Sequence, residues 1–199
     1  VEAQSFDFSF FNLLILNPIS SSNQVTMLRK LGPWFMFVAA LFVMSLGIAL
    51  VTRGNLGTTP ISSLPLVSSY ATNLTFGETT FLINLLFVAA QWVLLRRSIN
   101  KVLLLAQIPI TLAFSYFIDT SMKFTEFLSS DVYWKCFAVS MLGNVVLGLG
   151  VALEVFSGAA ALPGEGLVLA VSTVLHKPFS SVKIANDVIL VLLALLLSY

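Results

Sequence analysis

Charge is what this chain has least of. Asp, Glu, Lys and Arg make up 10% of its 199 residues, against about 25% in an ordinary soluble domain. Too few charges remain to cover a water-facing surface, which excludes a soluble globular fold. The net charge is only +1, and the basic residues form no large cluster, so nothing marks a nucleic-acid surface. Histidine and cysteine each occur once, at His176 and Cys136. One of each leaves no internal disulfide and no zinc site of the usual Cys/His kind. Cys136 reads as a small apolar filler at the start of a membrane segment. Catalytic signatures are missing as well: there is no nucleophile elbow, no HExxH and no phosphate loop. The chain is therefore read as a non-enzyme with no catalytic residues, no cofactor and no metal.

What is present is apolar. Hydrophobic residues make up 58% of the sequence and the mean hydropathy is +0.98, as expected of an integral membrane protein. Five stretches have the length of a span: Pro33–Thr52, Thr79–Leu95, Val102–Ile118, Cys136–Leu153 and about Val182 to the chain end. Crossing the hydrocarbon takes about 20 residues of helix, and a helix satisfies its own backbone in lipid. Residues 1–26 look different, with a short apolar run and acidic Glu2 and Asp7. They are expected to be an unstructured or interfacial extension ahead of a bundle at 27–199. A sixth span is expected beyond Tyr199.

Orientation follows from Lys and Arg near the span ends. With the N-terminus inside, Arg29, Lys30, Arg96, Arg97, Lys101, Lys177 and Lys183 are cytoplasmic, and Arg53, Lys123 and Lys135 are outside. This predicts a multi-pass protein of the cell (inner or plasma) membrane with a cytoplasmic N-terminus.

A shift of 103 residues lays 46–88 over 149–191 without a gap, with ten of the 43 pairs identical. The informative pairs are Gly47/Gly150, Pro60/Pro163, Ser69/Ser172 and Phe76/Phe179, with the polar match Asn84/Asp187. Three spans separate the two starts, so the second copy is inverted in the membrane. Inverted repeats are common in secondary transporters, with the substrate near the midplane at the repeat interface. Repeat one covers about 33–118 and repeat two about 136–199.

Each repeat holds one short apolar segment, Pro60–Thr72 and Pro163–Leu175. Both are too short to span and open with proline, which suits the first helical position. Either they are re-entrant, with N-termini facing a cavity, or they lie flat at the membrane surface. Helix N-termini carry unpaired N–H groups and positive dipole ends. The substrate-binding candidates are Arg53, Thr58, Thr59, Ser62 and Ser63 around the first start, Glu165 at the second, and Asp187. Asp187 stands one turn after Lys183 and is placed either to pair with it and fix helix packing or to serve as a proton or cation relay. Glu154 is assigned to the interface at a span end, Asp119 to water, and Gln91, Gln107 and Asn144 to contacts between helices. Gly143, Gly148 and Gly150 permit close helix approach.

Three stretches carry a family resemblance. GNLGTTPISSLPLVSS with LTFGETTFLINLLFVAAQWVLLRR, then LLLAQIPITLAFSYFID, then LPGEGLVLAVS with KPFSSVKIANDVILVLLALLLS resemble the bacterial YczE-like membrane proteins, relatives of the YitT group. The resemblance covers about residues 28–199. It implies fold and membrane location, and it carries no catalytic or ligand residues. The fold expected is an all-α membrane protein with five transmembrane helices (six with the span beyond Tyr199), two short re-entrant or interfacial helices and an inverted repeat. The function expected is a small-solute transporter or permease-like subunit, whose partners are the bilayer and a small solute. The alternative is a regulatory or partner-binding membrane protein, as a homo-oligomer or with a membrane partner. Neither calls for nucleic acid.

Overall fold

A computed structural model describes residues 26–95 and 101–198, with side chains from 32 and from 104 onward in those two stretches. The expected extension therefore lies outside the described residues up to position 25. So do Arg96, Arg97 and the side chains of Arg29, Lys30 and Lys101.

Among the described residues the chain forms seven α-helices and no strand: α1 (Thr26–Arg53), α2 (Pro60–Ala71), α3 (Phe76–Leu95), α4 (Lys101–Phe124), α5 (Tyr133–Ser157), α6 (Pro163–Leu175) and α7 (Phe179–Leu197). A single 3-10 turn, Glu126–Leu128, lies between α4 and α5. Helices α1 (over Gly32–Arg53), α3, α5 and α7 are long and apolar enough to cross a membrane. The fifth expected span, α4, has the length but is more polar. Its Gln107, Thr111, Ser115 and Ser121 are all buried, so its polar stripe faces protein.

The bundle is organised by the α1–α5 pair, its most extensive contact. A Cβ placed on Gly47 would stand 2.5 Å from the Leu147 backbone nitrogen, and one on Gly150 would stand 2.7 Å from that of Met44. Gly143 meets Val51 in the same way, and Gly54 meets Ser140. In all four pairs the residue numbers add to 194, the signature of an antiparallel crossing. Small residues let helices in lipid approach closely enough for dispersion to hold them. Gly148 differs from the expectation, since nothing lies within 4 Å of a Cβ there. It sits on the outward side of α5.

The 103-residue repeat is visible in this crossing. Gly47 against Leu147 becomes Gly150 against Met44 when the copies are exchanged. The short helices and the spans after them begin in register, at Pro60 and Pro163 and at Phe76 and Phe179. Packing repeats as well: α2 lies on α7 and α3, and α6 lies on α3 and α7. The fold is thus an inverted repeat with a pseudo-twofold axis through the α1–α5 crossing. Helix α4, packed on α1 and α3, has no counterpart among the described residues.

Local chemistry fixes the helix ends. The Thr75 backbone N–H donates to Glu78 Oε2 (2.8 Å) and the Glu78 N–H donates to Thr75 Oγ1 (3.1 Å), a capping box that starts α3 three residues before the expected Thr79. Asp119, assigned to water from the sequence, instead accepts from Thr75 Oγ1 at 2.6 Å and from the Gly77 N–H at 2.7 Å. A carboxylate is favourable at a helix N-terminus, and here it ties α4 to α3. Ser45 and Ser121 Oγ lie 3.2 Å apart between α1 and α4. Outside, α5 and α7 expose Leu142, Val145, Leu192 and Leu196, and aromatics such as Phe127, Tyr133 and Trp134 flank the start of α5. An apolar exterior bordered by aromatic rings suits lipid and its interface.

Adding one methyl group tests the crossing. Gly47→Ala and Gly150→Ala are each expected to destabilise the protein by about 1–3 kcal/mol through overpacking. Gly148→Ala is expected to be neutral or to stabilise by up to ~1 kcal/mol through helix propensity. Unfolding in detergent micelles, followed for all three variants, checks the contrast.

Candidate functional site

Helix α1 ends at Arg53, whose guanidinium donates to the Met122 carbonyl at 2.8 Å and to Ser129 Oγ at 3.3 Å. Residues 54–59 then carry the chain back to Pro60, with Asn55 and Gly57 at positive φ. The second repeat does the same through residues 158–162, starting at Gly158 with φ 55°. Such backbone needs partners wherever water is excluded. Leu162 N–H finds the Glu154 carboxylate at 3.4 Å. The Pro163 carbonyl accepts from Gln91 Nε2 at 3.1 Å, and Gln91 also bonds Gln107 at 3.2 Å. The two glutamines thus join α3, α4 and α6, in the packing role expected of them.

The first turns of α2 and α6 meet. Ile61 Cδ1 would lie against a Cβ on Gly164, and these two residues are repeat equivalents, so the pseudo-twofold axis passes between them. Around this point lies a cavity of about 300 Å³, at the small end of ligand sites. Twelve of its eighteen lining residues form six pairs that the 103-residue shift exchanges: Met44/Leu147, Ile48/Val151, Thr59/Leu162, Ile61/Gly164, Ser62/Glu165 and Thr80/Lys183. Met44 and Leu147 belong to the crossing itself, well inside α1 and α5. The short helices therefore begin at the depth of the crossing, not at the bundle ends. A start level with the crossing fits the re-entrant arrangement better than the flat one.

The wall is mostly apolar, with Phe87, Phe114 and Ile118 among its side chains. Its polar groups are Thr59, Ser62, Thr80, Asn84, Glu165 and Lys183. Thr59 Oγ1 donates to Ser62 Oγ at 2.9 Å across the start of α2. Lys183 Nζ donates to Asp187 Oδ1 at 3.1 Å, the i,i+4 pair expected from the sequence.

Three of the seven candidate residues, Thr59, Ser62 and Glu165, thus share one cavity. Asp187 stands behind Lys183 and reaches the cavity through it. Arg53 is engaged at the end of α1, Ser63 bonds the Pro60 carbonyl at 2.6 Å, and Thr58 Oγ1 is buried without a hydrogen-bond partner; none of the three lines the cavity. Sequence reasoning left out Thr80 and Lys183, although the 103-residue shift pairs them. From the sequence Lys183 reads as a cytoplasmic anchor. Glu154, placed at the interface, is 3% exposed.

Fold and cavity together define an α-helical membrane protein whose two inverted halves enclose a central, mostly apolar cavity with a few polar groups. The chain belongs to a family of unknown function, DUF6198, whose model matches residues 31–199. No curated protein and no solved structure matches it.

The axis contact gives a reciprocal test. Ile61→Gly and Gly164→Ile are each expected to cost about 2 kcal/mol, one by a void and the other by overpacking. Combined, they move the isoleucine to its symmetry-related place. The double variant is expected to be more stable than the sum of the singles by about 1 kcal/mol or more, read from a thermal double-mutant cycle.

Proposed function

We propose that this protein is a transporter for a small polar solute, or the permease-like subunit of one, with its site on the axis between the repeats. One observation carries the proposal. The cavity is built from equivalent residues of two oppositely oriented halves, and the first turns of both short helices open onto it. Such a site can be presented to either face by rocking one half against the other. The Glu165 carboxylate and Lys183 ammonium offer a solute both charges, and Ser62, Thr80 and Asn84 offer neutral hydrogen bonds. Ile48, Phe87, Phe114 and Ile118 suit a compact apolar body. Arg53, with two hydrogen bonds of its own, has the role of an outer strut. Thr58 and Ser63 flank the first short-helix start.

The same reading takes the protein as a non-enzyme in the cell membrane with its N-terminus inside. Arg53, Lys123 and Lys135 are three cations at the α4–α5 end, against six, Arg29, Lys30, Arg96, Arg97, Lys101 and Lys177, that the sequence assigns to the opposite face, and the smaller count supports treating the α4–α5 end as external. The resemblance to YczE-like and YitT-related proteins belongs to this proposal. A regulatory or partner-binding role without transport draws support from the broad exposed apolar faces of α5 and α7, which suit a homo-oligomer or a membrane partner as well as lipid.

Accessibility separates the two roles without knowledge of the solute. In a Cys136→Ala chain carrying Ser62→Cys, sealed vesicles are treated with an impermeant thiol reagent on one side or the other. Transport requires labelling from both sides. Labelling from one side only under every condition, or from neither, would sink the proposal. Once a solute is found, Glu165→Gln is expected to lower its flux by about 10-fold or more, the effect of losing ~1.4 kcal/mol.

A further inference from the structure

Glu154 has no place in the solute site, and nothing in its repeat explains it. Its equivalent in repeat one is Val51. It lies in the last turn of α5, 3% exposed. One carboxylate oxygen accepts the Leu162 N–H at 3.4 Å. The other, Oε2, is buried with no partner. Leu162 precedes the first turn of α6, and Glu165 stands in that turn on the cavity wall. Glu154 thus holds the amide three residues before Glu165, which places both acids at the start of α6, and Lys183 shares the cavity wall with Glu165. A turn that only needed its Leu162 amide capped would be served by a neutral acceptor. An acid with an orphaned oxygen, at a turn that carries a second acid, instead calls for a shared cation or proton.

We propose that Glu154 and Glu165 form a proton-binding pair beside the cavity, and that this proton is the coupling ion of transport. The site itself stands on the geometry of α5 and α6. Only its coupling role rests on the transport reading. When the pair is loaded, one carboxyl holds the proton and shares it with the neighbouring carboxylate. On release, the O–H bond breaks and the proton leaves as hydronium through the cavity at Glu165. Lys183 is then left with a second carboxylate to balance besides Asp187. Among the described residues the charges packed against the pair are Lys183 and its partner Asp187 on α7; the other surrounding elements present neutral groups. At the level of Glu154, α1 presents buried Phe37, Ala40 and Leu41. On the cavity side α3 presents Thr80 and Asn84, and α4 presents Phe114 and Ile118. Among the described residues no three His, Cys, Asp or Glu side chains gather to hold a metal ion, which favours a proton over a multivalent cation.

Infrared spectroscopy of the full chain in lipid vesicles tests the pair with no solute present. The expected result is a protonated-carboxyl carbonyl band at neutral pH that disappears in alkali. Glu154→Gln, which keeps the shape of the protonated acid, is expected to abolish it. Glu165→Gln, on the cavity wall, is expected to shift it, and Asp187→Asn to leave it unchanged. Should Glu154→Gln fail to assemble, the Glu165→Gln spectrum decides by itself. Absence of the band at neutral pH, or a band indifferent to Glu165→Gln, overturns the proposal. A band that sodium removes assigns the pair to a metal cation and overturns it too. Two-sided labelling of Ser62→Cys without the band leaves transport standing and removes only the proton, and the reverse result removes only transport.

Discussion

The close antiparallel crossing of α1 and α5 is the constraint on which the remainder of the structure depends. Two glycines, Gly47 and Gly150, hold equivalent places in it and bring backbone against backbone. In lipid there is little hydrophobic gain from pairing two helices, so contact distance and dispersion decide. The crossing fixes the pseudo-twofold axis. It also fixes where everything carried by the repeats must meet. Ile61 and Gly164 touch because they occupy equivalent positions next to that axis. A side chain at either crossing glycine would spread α1 from α5, and the first turns of α2 and α6 would separate with them.

A re-entrant segment must leave its backbone partly unpaired, and the sequence removes or answers those groups one by one. Proline at 60 and 163 deletes an N–H that helix geometry would orphan. The Leu162 N–H goes to Glu154, and the Pro163 carbonyl goes to Gln91. Ser63, Ser69 and Thr72 return their hydroxyls to carbonyls of α2 itself, so a hydroxyl-rich helix can sit within an apolar bundle. These partners come from α3 and α5 as well as from the short helices. Cavity and scaffold are therefore one hydrogen-bonded unit, the rigid support that the proposed solute site would need.

Much of this was legible in the sequence. Scarce charge and long apolar runs gave the solvent, and the 103-residue shift gave the inverted halves. Pro60 and Pro163 marked the two short helices at their structural starts. What stayed hidden depends on contacts distant in sequence. Asp119 reads as a span end meeting water until α3 brings Thr75 and Gly77 to it. Gly148 looks equivalent to Gly150, two residues on, but those positions face opposite ways on a helix. Lys183 looks like an anchor because it follows Lys177, yet α7 has already begun at Phe179. Its pairing with Thr80 in the shifted alignment was the available signal. Arg53 drew attention as a lone cation near a short helix, whereas distance along the chain said nothing of the Met122 carbonyl.

The repeats agree in shape and differ in charge. Across the axis Ser62 answers Glu165, Thr80 answers Lys183 and Val51 answers Glu154. Backbone symmetry sets where the cavity lies, because equivalent helices must cross at equivalent points. It places no demand on the polar groups, which are free to diverge so long as each keeps a partner. All the ionisable groups of the cavity wall lie in the second half, while the first supplies hydroxyls and an amide. A site divided this way can hold its ligand on the axis, where both halves contribute, and still keep its charge balance within one half. The Lys183–Asp187 pair lies within a single helix, so that balance moves with the half that carries it. Rocking of one half against the other would then leave this pair intact.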